Sequence, residues 1–113
     1  MTNESAVPML AALAHDHRLG IFRLLVQHGP NGLPAGEIAD GIGLSATGTS
    51  FHLKELVRAG LLRPTREGRF IRYAVQVDAV RSLLSFLTEE CCADRPELCG
   101  DIFTSSKTLC PQP

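Results

Sequence analysis

The chain has 113 residues, 44% of them apolar, no tryptophan and a formal net charge of −1, which suffices for one domain with a modest core and not for two. No apolar run approaches the roughly 18–20 residues that a membrane span needs. Met1-Thr2-Asn3-Glu4-Ser5 carries no basic residue ahead of the first apolar stretch, which argues against an export signal and for a cytoplasmic protein whose thiols stay reduced.

The near-zero charge conceals three segments. Residues 1–44 set Arg18 and Arg23 against Glu4, Asp16, Glu37 and Asp40, a net of −2. Residues 45–75 set Lys54, Arg58, Arg63, Arg66, Arg69 and Arg72 against Glu55 and Glu67, a net of +4. Residues 76–113 set Arg81, Arg95 and Lys107 against six acidic residues, a net of −3. One contiguous basic segment is what a surface that meets a polyanion requires, although scattered solvated arginines would give the same count.

In chain order, residues 6–14 read as a short helix. Residues 16–28 read as an amphipathic helix whose stripe is Leu19, Phe22, Leu25 and Val26. Gly29-Pro30, Asn31-Gly32 and Pro34 mark a loop. A short helix follows near 35–41, with Ile38 and Ala39 facing inward. Ser45 is the expected N-cap of a helix over 46–59, with Leu53, Leu56 and Val57 as its stripe and Gly60 as its terminator. Two strands, one starting at Leu61 and one over 69–75, are joined by a turn at Arg66-Glu67-Gly68. A last helix spans about 78–91, with Val80, Leu83, Leu84 and Leu87 as its stripe. The expected fold class is mostly α with a two-stranded β-wing: a winged helix-turn-helix DNA-binding domain over residues 1–92. A cysteine-containing tail over 93–113 follows it.

The helix at 46–59 would present small and hydroxylated side chains to a major groove. Ser45, Thr47, Ser50 and Phe51 lie near its start, with Lys54 and Arg58 farther along as phosphate partners. Arg66 and Arg69 flank the wing tip and reach the backbone or minor groove. Arg72 is nearer the hairpin base, where pairing with a neighbour is the simpler role. His52 reads as a partly buried, hydrogen-bonded histidine, and His15 and His17 as caps of a helix junction rather than metal ligands.

Cys91, Cys92 and Cys99 fall within nine positions, with Cys110 the remaining cysteine. Three clustered thiols suit a soft, thiol-seeking ion. No Cys-x5-Arg loop of the kind an arsenate-reducing enzyme needs is present, so the chain does not read as an enzyme.

Ala11 to Leu25, the run from Leu44-Ser45 through Ser50-Phe51-His52-Leu53-Lys54-Glu55-Leu56, the segment Ala59-Gly60-Leu61-Leu62, and Arg66 to Tyr73 together resemble the ArsR/SmtB winged-helix repressors over roughly residues 8–90. His15-Asp16-His17 stands where that family usually has Asp-Pro-Thr, and Phe51 replaces a common polar residue. The resemblance implies a cytosolic homodimer that represses an operon and releases double-stranded operator DNA on binding a metal or metalloid. Its dimer interface would use Met9, Leu10 and Leu13 with Leu83, Leu84, Phe86 and Leu87.

Of the effector sites the family uses, the one ahead of the recognition helix would fall at Leu33 to Ile38, where this chain has no cysteine. The zinc site on the last helices needs histidines, and none follows His52. The Cys-Cys-x6-Cys group at Cys91, Cys92 and Cys99 resembles the C-terminal arsenite site of another branch. It implies As(III) or Sb(III) as inducer, held by three thiolates. Recruitment of Cys110 as a fourth thiol would suit cadmium, lead or zinc, and a thiol redox sensor on the same scaffold is the nearest rival.

Overall fold

The computed structural model describes residues 1–88. Cys91, Cys92, Cys99 and Cys110, and the tail at 93–113, lie outside the described residues. Eight elements follow in order: α1 (Asn3–Leu13), α2 (Asp16–His28), β1 (Leu33–Pro34), α3 (Ala35–Ile42), α4 (Ala46–Arg58), β2 (Leu62–Glu67), β3 (Phe70–Val75) and α5 (Val77–Leu87). This is a winged helix-turn-helix, in which α3, a short turn and α4 form the central motif and β2–β3 the wing.

Local chemistry sets the helix ends. α1 begins three residues earlier than the apolar pattern suggested, because Ser5 Oγ accepts the Thr2 N–H at 3.0 Å and Thr2 O accepts the Ala6 N–H at 2.9 Å. Pro8 is an interior residue of α1. At α2 the expected cap is present: His15 Nδ1 accepts the His17 N–H at 3.2 Å. At α4, Ser45 Oγ accepts the Gly48 N–H at 3.0 Å, satisfying one of the donors that a helix start leaves open.

The sheet has three strands in the order β1-β3-β2, all pairs antiparallel. Its third strand corrects the sequence reading, which treated Asn31 to Pro34 as loop. Leu33 pairs with Tyr73 and Pro34 with Arg72, so these two residues are a strand only because β3 lies beside them. Gly32 enters this pairing at φ +67°, and a Cβ there would fall 2.2 Å from the Tyr73 carbonyl oxygen; no side chain fits. The wing turn is also shifted. Glu67 pairs with Phe70, leaving Gly68 and Arg69 as a two-residue loop, with Gly68 at φ +59°.

One core joins all five helices to the base of the wing. Ile21, Leu25, Ile38, Leu53, Leu56 and Leu61 are fully buried, with Met9, Leu33, Leu62 and Leu83 nearly so. Burying each such side chain is worth about 1.5–3 kcal/mol. The inward face of α2 differs from the expected stripe: Ile21 and Leu25 point in, while Leu19 and Val26 are 44% and 53% exposed. Three-and-four spacing fits two adjacent faces of this helix, and packing against α1, α3 and α4 selects the one carrying Ile21. Val7 and Leu10 of α1 and Val77 and Leu87 of α5 remain exposed.

Candidate nucleic-acid interface

α4 divides cleanly into two faces. Thr49, His52, Leu53 and Leu56 are buried, whereas Ser45, Ala46, Thr47, Ser50, Phe51 and Lys54 are exposed. The buried set anchors the helix to the core, so its first two turns project outward with short polar side chains and one aromatic, Phe51, at 58% exposure. Thr47, Ser50, Phe51 and Lys54 share one face at helical spacing. Ser45 is already engaged as cap acceptor, and its hydroxyl proton is still free to donate.

Arg58 occupies the last turn of α4, about 20 Å from the helix start at 1.5 Å per residue. Its guanidinium sits 3.5 Å from Glu55. Glu55 also faces Arg18 of α2 at 3.9 Å, so this carboxylate lies between two cations and ties α4 to α2. The sequence reading did not find this pair, because nothing in the spacing of residues 18 and 55 reveals that α2 crosses α4.

On the wing, Arg69 occupies the two-residue tip and Arg66 the ladder just below it, both exposed. Among the described residues neither forms an ion pair, which leaves both guanidinium groups available to phosphate. Arg72 is committed instead: its Nε donates to Glu67 Oε1 at 2.8 Å and its Nη1 to the Gly32 carbonyl at 3.2 Å. Phe70, 66% exposed beside the tip, was read only as part of a strand. It lines, with Pro34, with Gly36, Glu37, Ala39 and Asp40 of α3, and with Leu44 and Ala46, a cavity of about 530 Å³ between the wing and α3.

The inner flank of α4 meets the start of α2 through three histidines. The His52 ring lies 4.7 Å from that of His15 and 5.7 Å from that of His17. Burial, then the neighbouring His15, Arg18 and His17, push the His52 pKa below the usual histidine value of 6.5. His52 Nδ1 is buried with no hydrogen-bond partner, so the expected hydrogen bond is not formed there.

Residues 13–65 match the family described as Helix-turn-helix domain. The chain is 35% identical over 89 residues to the HTH-type transcriptional regulator YgaV of Escherichia coli (strain K12), covering 79% of this chain and 88% of that one. The chain belongs to the helix-turn-helix transcriptional regulators. Among these regulators, the Transcriptional activator HlyU of Vibrio cholerae is 32% identical over 82 residues, 73% of each chain. The solved structure of HlyU superposes with a TM-score of 0.60 over 77% of this chain and 97% of that one. A homodimeric winged helix-turn-helix DNA-binding domain from Mycobacterium bovis, described as a possible ArsR-family regulator, superposes at 0.62 with 29% identity. It covers 77% of this chain and 81% of that one. These relatives are regulators of transcription rather than enzymes. In helix-turn-helix regulators the second helix of the motif reads the DNA, and α4 holds that position here; no helix among the described residues is long and apolar enough to cross a membrane.

Proposed function

We propose that the protein is a homodimeric repressor that binds operator DNA and releases it on capturing As(III) or Sb(III) with Cys91, Cys92 and Cys99. The observation that carries the reading is a sequence adjacency. α5 runs to Leu87 with an exposed apolar end, and the first of the three thiols follows four residues later. A thiol site so near the end of a terminal helix is well placed to change how that helix packs. Of the interface expected from the sequence, Leu10 and Leu87 are exposed while Met9 and Leu83 are buried in the protomer's own core. Leu10 and Leu87 with the exposed Val7 supply an apolar face for a second copy, and the Mycobacterium bovis relative is a homodimer. A two-fold dimer would read a palindromic operator with half-sites about one helical turn apart. Ser45, Thr47, Ser50 and Phe51 would meet base edges or phosphates, and Lys54, Arg58, Arg66 and Arg69 the backbone.

Trivalent arsenic takes three thiolates in a pyramid, and each thiol gives up its proton on binding. A coupling of about 1–3 kcal/mol between inducer and operator would weaken DNA binding roughly 5- to 150-fold. The test is operator affinity with arsenite, antimonite, cadmium, lead, zinc and peroxide, for the wild type and for Cys91→Ser, Cys92→Ser, Cys99→Ser and Cys110→Ser. Arsenite is expected to release the wild type and Cys110→Ser and to leave the other three bound. If arsenite leaves the wild-type complex intact, the effector assignment fails.

Two alternatives share this experiment. A cadmium-, lead- or zinc-responsive repressor would need Cys110 as well. A thiol redox regulator would release DNA with peroxide alone; in its favour, HlyU has also been solved in a reduced form.

A further inference from the structure

We propose that His15, His17 and His52 form a proton-responsive latch between the start of α2 and the reading helix α4, so that acidification loosens α4 and weakens specific DNA binding. The three rings lie 4.7 to 5.7 Å apart. Imidazole is the side chain whose charge ordinarily changes between pH 5 and 8. Two of the three have structural duties that require the neutral form.

The first duty is the cap of α2. His15 Nδ1 accepts the His17 N–H, and an imidazolium has no lone pair with which to accept. Protonation at Nδ1 therefore converts the acceptor to a donor aimed at another donor, and the cap bond is lost. The second duty is burial. His52 belongs to α4, is only 9% exposed, and has a buried Nδ1 with no hydrogen-bond partner among the described residues.

The charges around His52 make a proton there unwelcome. From α2 it faces His15, His17 and Arg18, all of which oppose a positive charge on its ring. Its own helix supplies Glu55, but that carboxylate is shared between Arg18 at 3.9 Å and Arg58 at 3.5 Å. α1 lines the cavity beside Arg18, Glu55 and Arg58 with Pro8, Ala11 and Ala12, none of these three titratable. A proton on His52 thus adds positive charge beside Arg18, where Glu55 is already engaged. Asp16, between His15 and His17 in the sequence, is the other carboxylate at this junction and forms no ion pair among the described residues. The cheapest relief is separation of α2 from α4.

The inference rests on α4 being the DNA-reading helix, and its test separates the two. NMR titration of the histidine Cε1–H resonances in the DNA-free protein should place His52 below 6.5. In the His15→Asn/His17→Gln double variant, where asparagine keeps a cap acceptor that does not titrate, the His52 value should rise toward 6.5. Operator affinity, measured at constant ionic strength from pH 7.5 to 5.5, should fall about tenfold in the wild type, about 1.4 kcal/mol of binding free energy. It should fall less than about threefold in the double variant, with helical circular dichroism preserved in both. An unshifted His52, equal losses in both proteins, or global unfolding of both over this range would overturn the latch. Absence of operator binding at every pH, with the expected titration intact, would instead overturn the assignment of α4.

Discussion

Arg72 on β3 holds Glu67 on β2 at 2.8 Å and, through its other nitrogen, the carbonyl of Gly32 ahead of β1. One side chain thereby fixes the wing to the body of the protein and aims Arg66 and Arg69. Exposed ion pairs contribute only about 0.2–1 kcal/mol to stability, and both partners here are partly exposed. Arg72→Ala should leave the melting temperature nearly unchanged while operator affinity drops several-fold, because the wing loses its set. Thermal unfolding with fluorescence anisotropy on one preparation checks this; unaltered affinity would count against a positioning role.

Ser45 combines two functions at the start of α4, capping the helix and standing on the exposed face. Replacement by alanine removes the acceptor for the Gly48 N–H and should cost about 1 kcal/mol of stability. Ser45→Asp restores the cap but adds a negative charge to a surface meant for phosphate. It should recover the stability and not the DNA affinity. Chemical denaturation and operator titration of the two variants distinguish the roles, and recovery of both by aspartate would show that the cap alone matters.

The helix order, the cap at Ser45 and the division of α4 into core and exposed faces were legible in the sequence, because each rests on contacts within a few residues. Features that depend on distant partners were not. β1 exists only through its pairing with β3. The choice of Ile21 over Leu19 is made by three packing helices. Glu67 stays in the ladder, where its carboxylate meets Arg72, and this moves the wing turn one residue onward. The Arg18–Glu55 pair and the histidine cluster arise where α2 crosses α4, a relation that spacing along the chain does not encode. The proposed thiol site rests on the sequence alone, since Cys91, Cys92 and Cys99 lie outside the described residues.

Thr49 is 1% exposed and its hydroxyl has no hydrogen-bond partner. A buried polar group left unpaired costs roughly 1–3 kcal/mol. Valine has the same shape and the same β-branching, so the helix is not penalised further by the exchange. Thr49→Val should raise stability by about 1 kcal/mol without altering operator affinity. A drop in denaturation midpoint would mean that the hydroxyl finds a partner in solution.

The pH dependence of stability follows from His52, whose pKa burial and the adjacent His15, Arg18 and His17 hold below 6.5. Above pH 6.5 the ring is neutral in both folded and unfolded chains, and it adds no pH dependence. Below that value the unfolded chain takes up a proton that the folded one resists, so stability declines as the pH falls from 6.5 toward the depressed folded value. His52→Gln abolishes this contribution while keeping a polar side chain of similar reach. Urea unfolding midpoints between pH 7.5 and 5.5 should therefore slope downward on acidification more steeply in the wild type than in His52→Gln. Parallel slopes would mean that His52 carries none of the acid sensitivity.

Arg66 and Arg69 make no ion pair among the described residues, so each is free to displace a counterion from the DNA backbone. Arg66→Ala and Arg69→Ala should each lower the slope of log affinity against log salt by about one, and weaken operator and unrelated DNA alike. Arg72→Ala differs in kind, because its guanidinium is spent on Glu67 and Gly32. It should reduce affinity with a smaller change in slope. Salt titrations from about 50 to 200 mM, the range over which phosphate contacts are most visible, resolve the three variants. A full unit of slope lost in Arg72→Ala would move that residue from the wing's scaffold to its phosphate contacts.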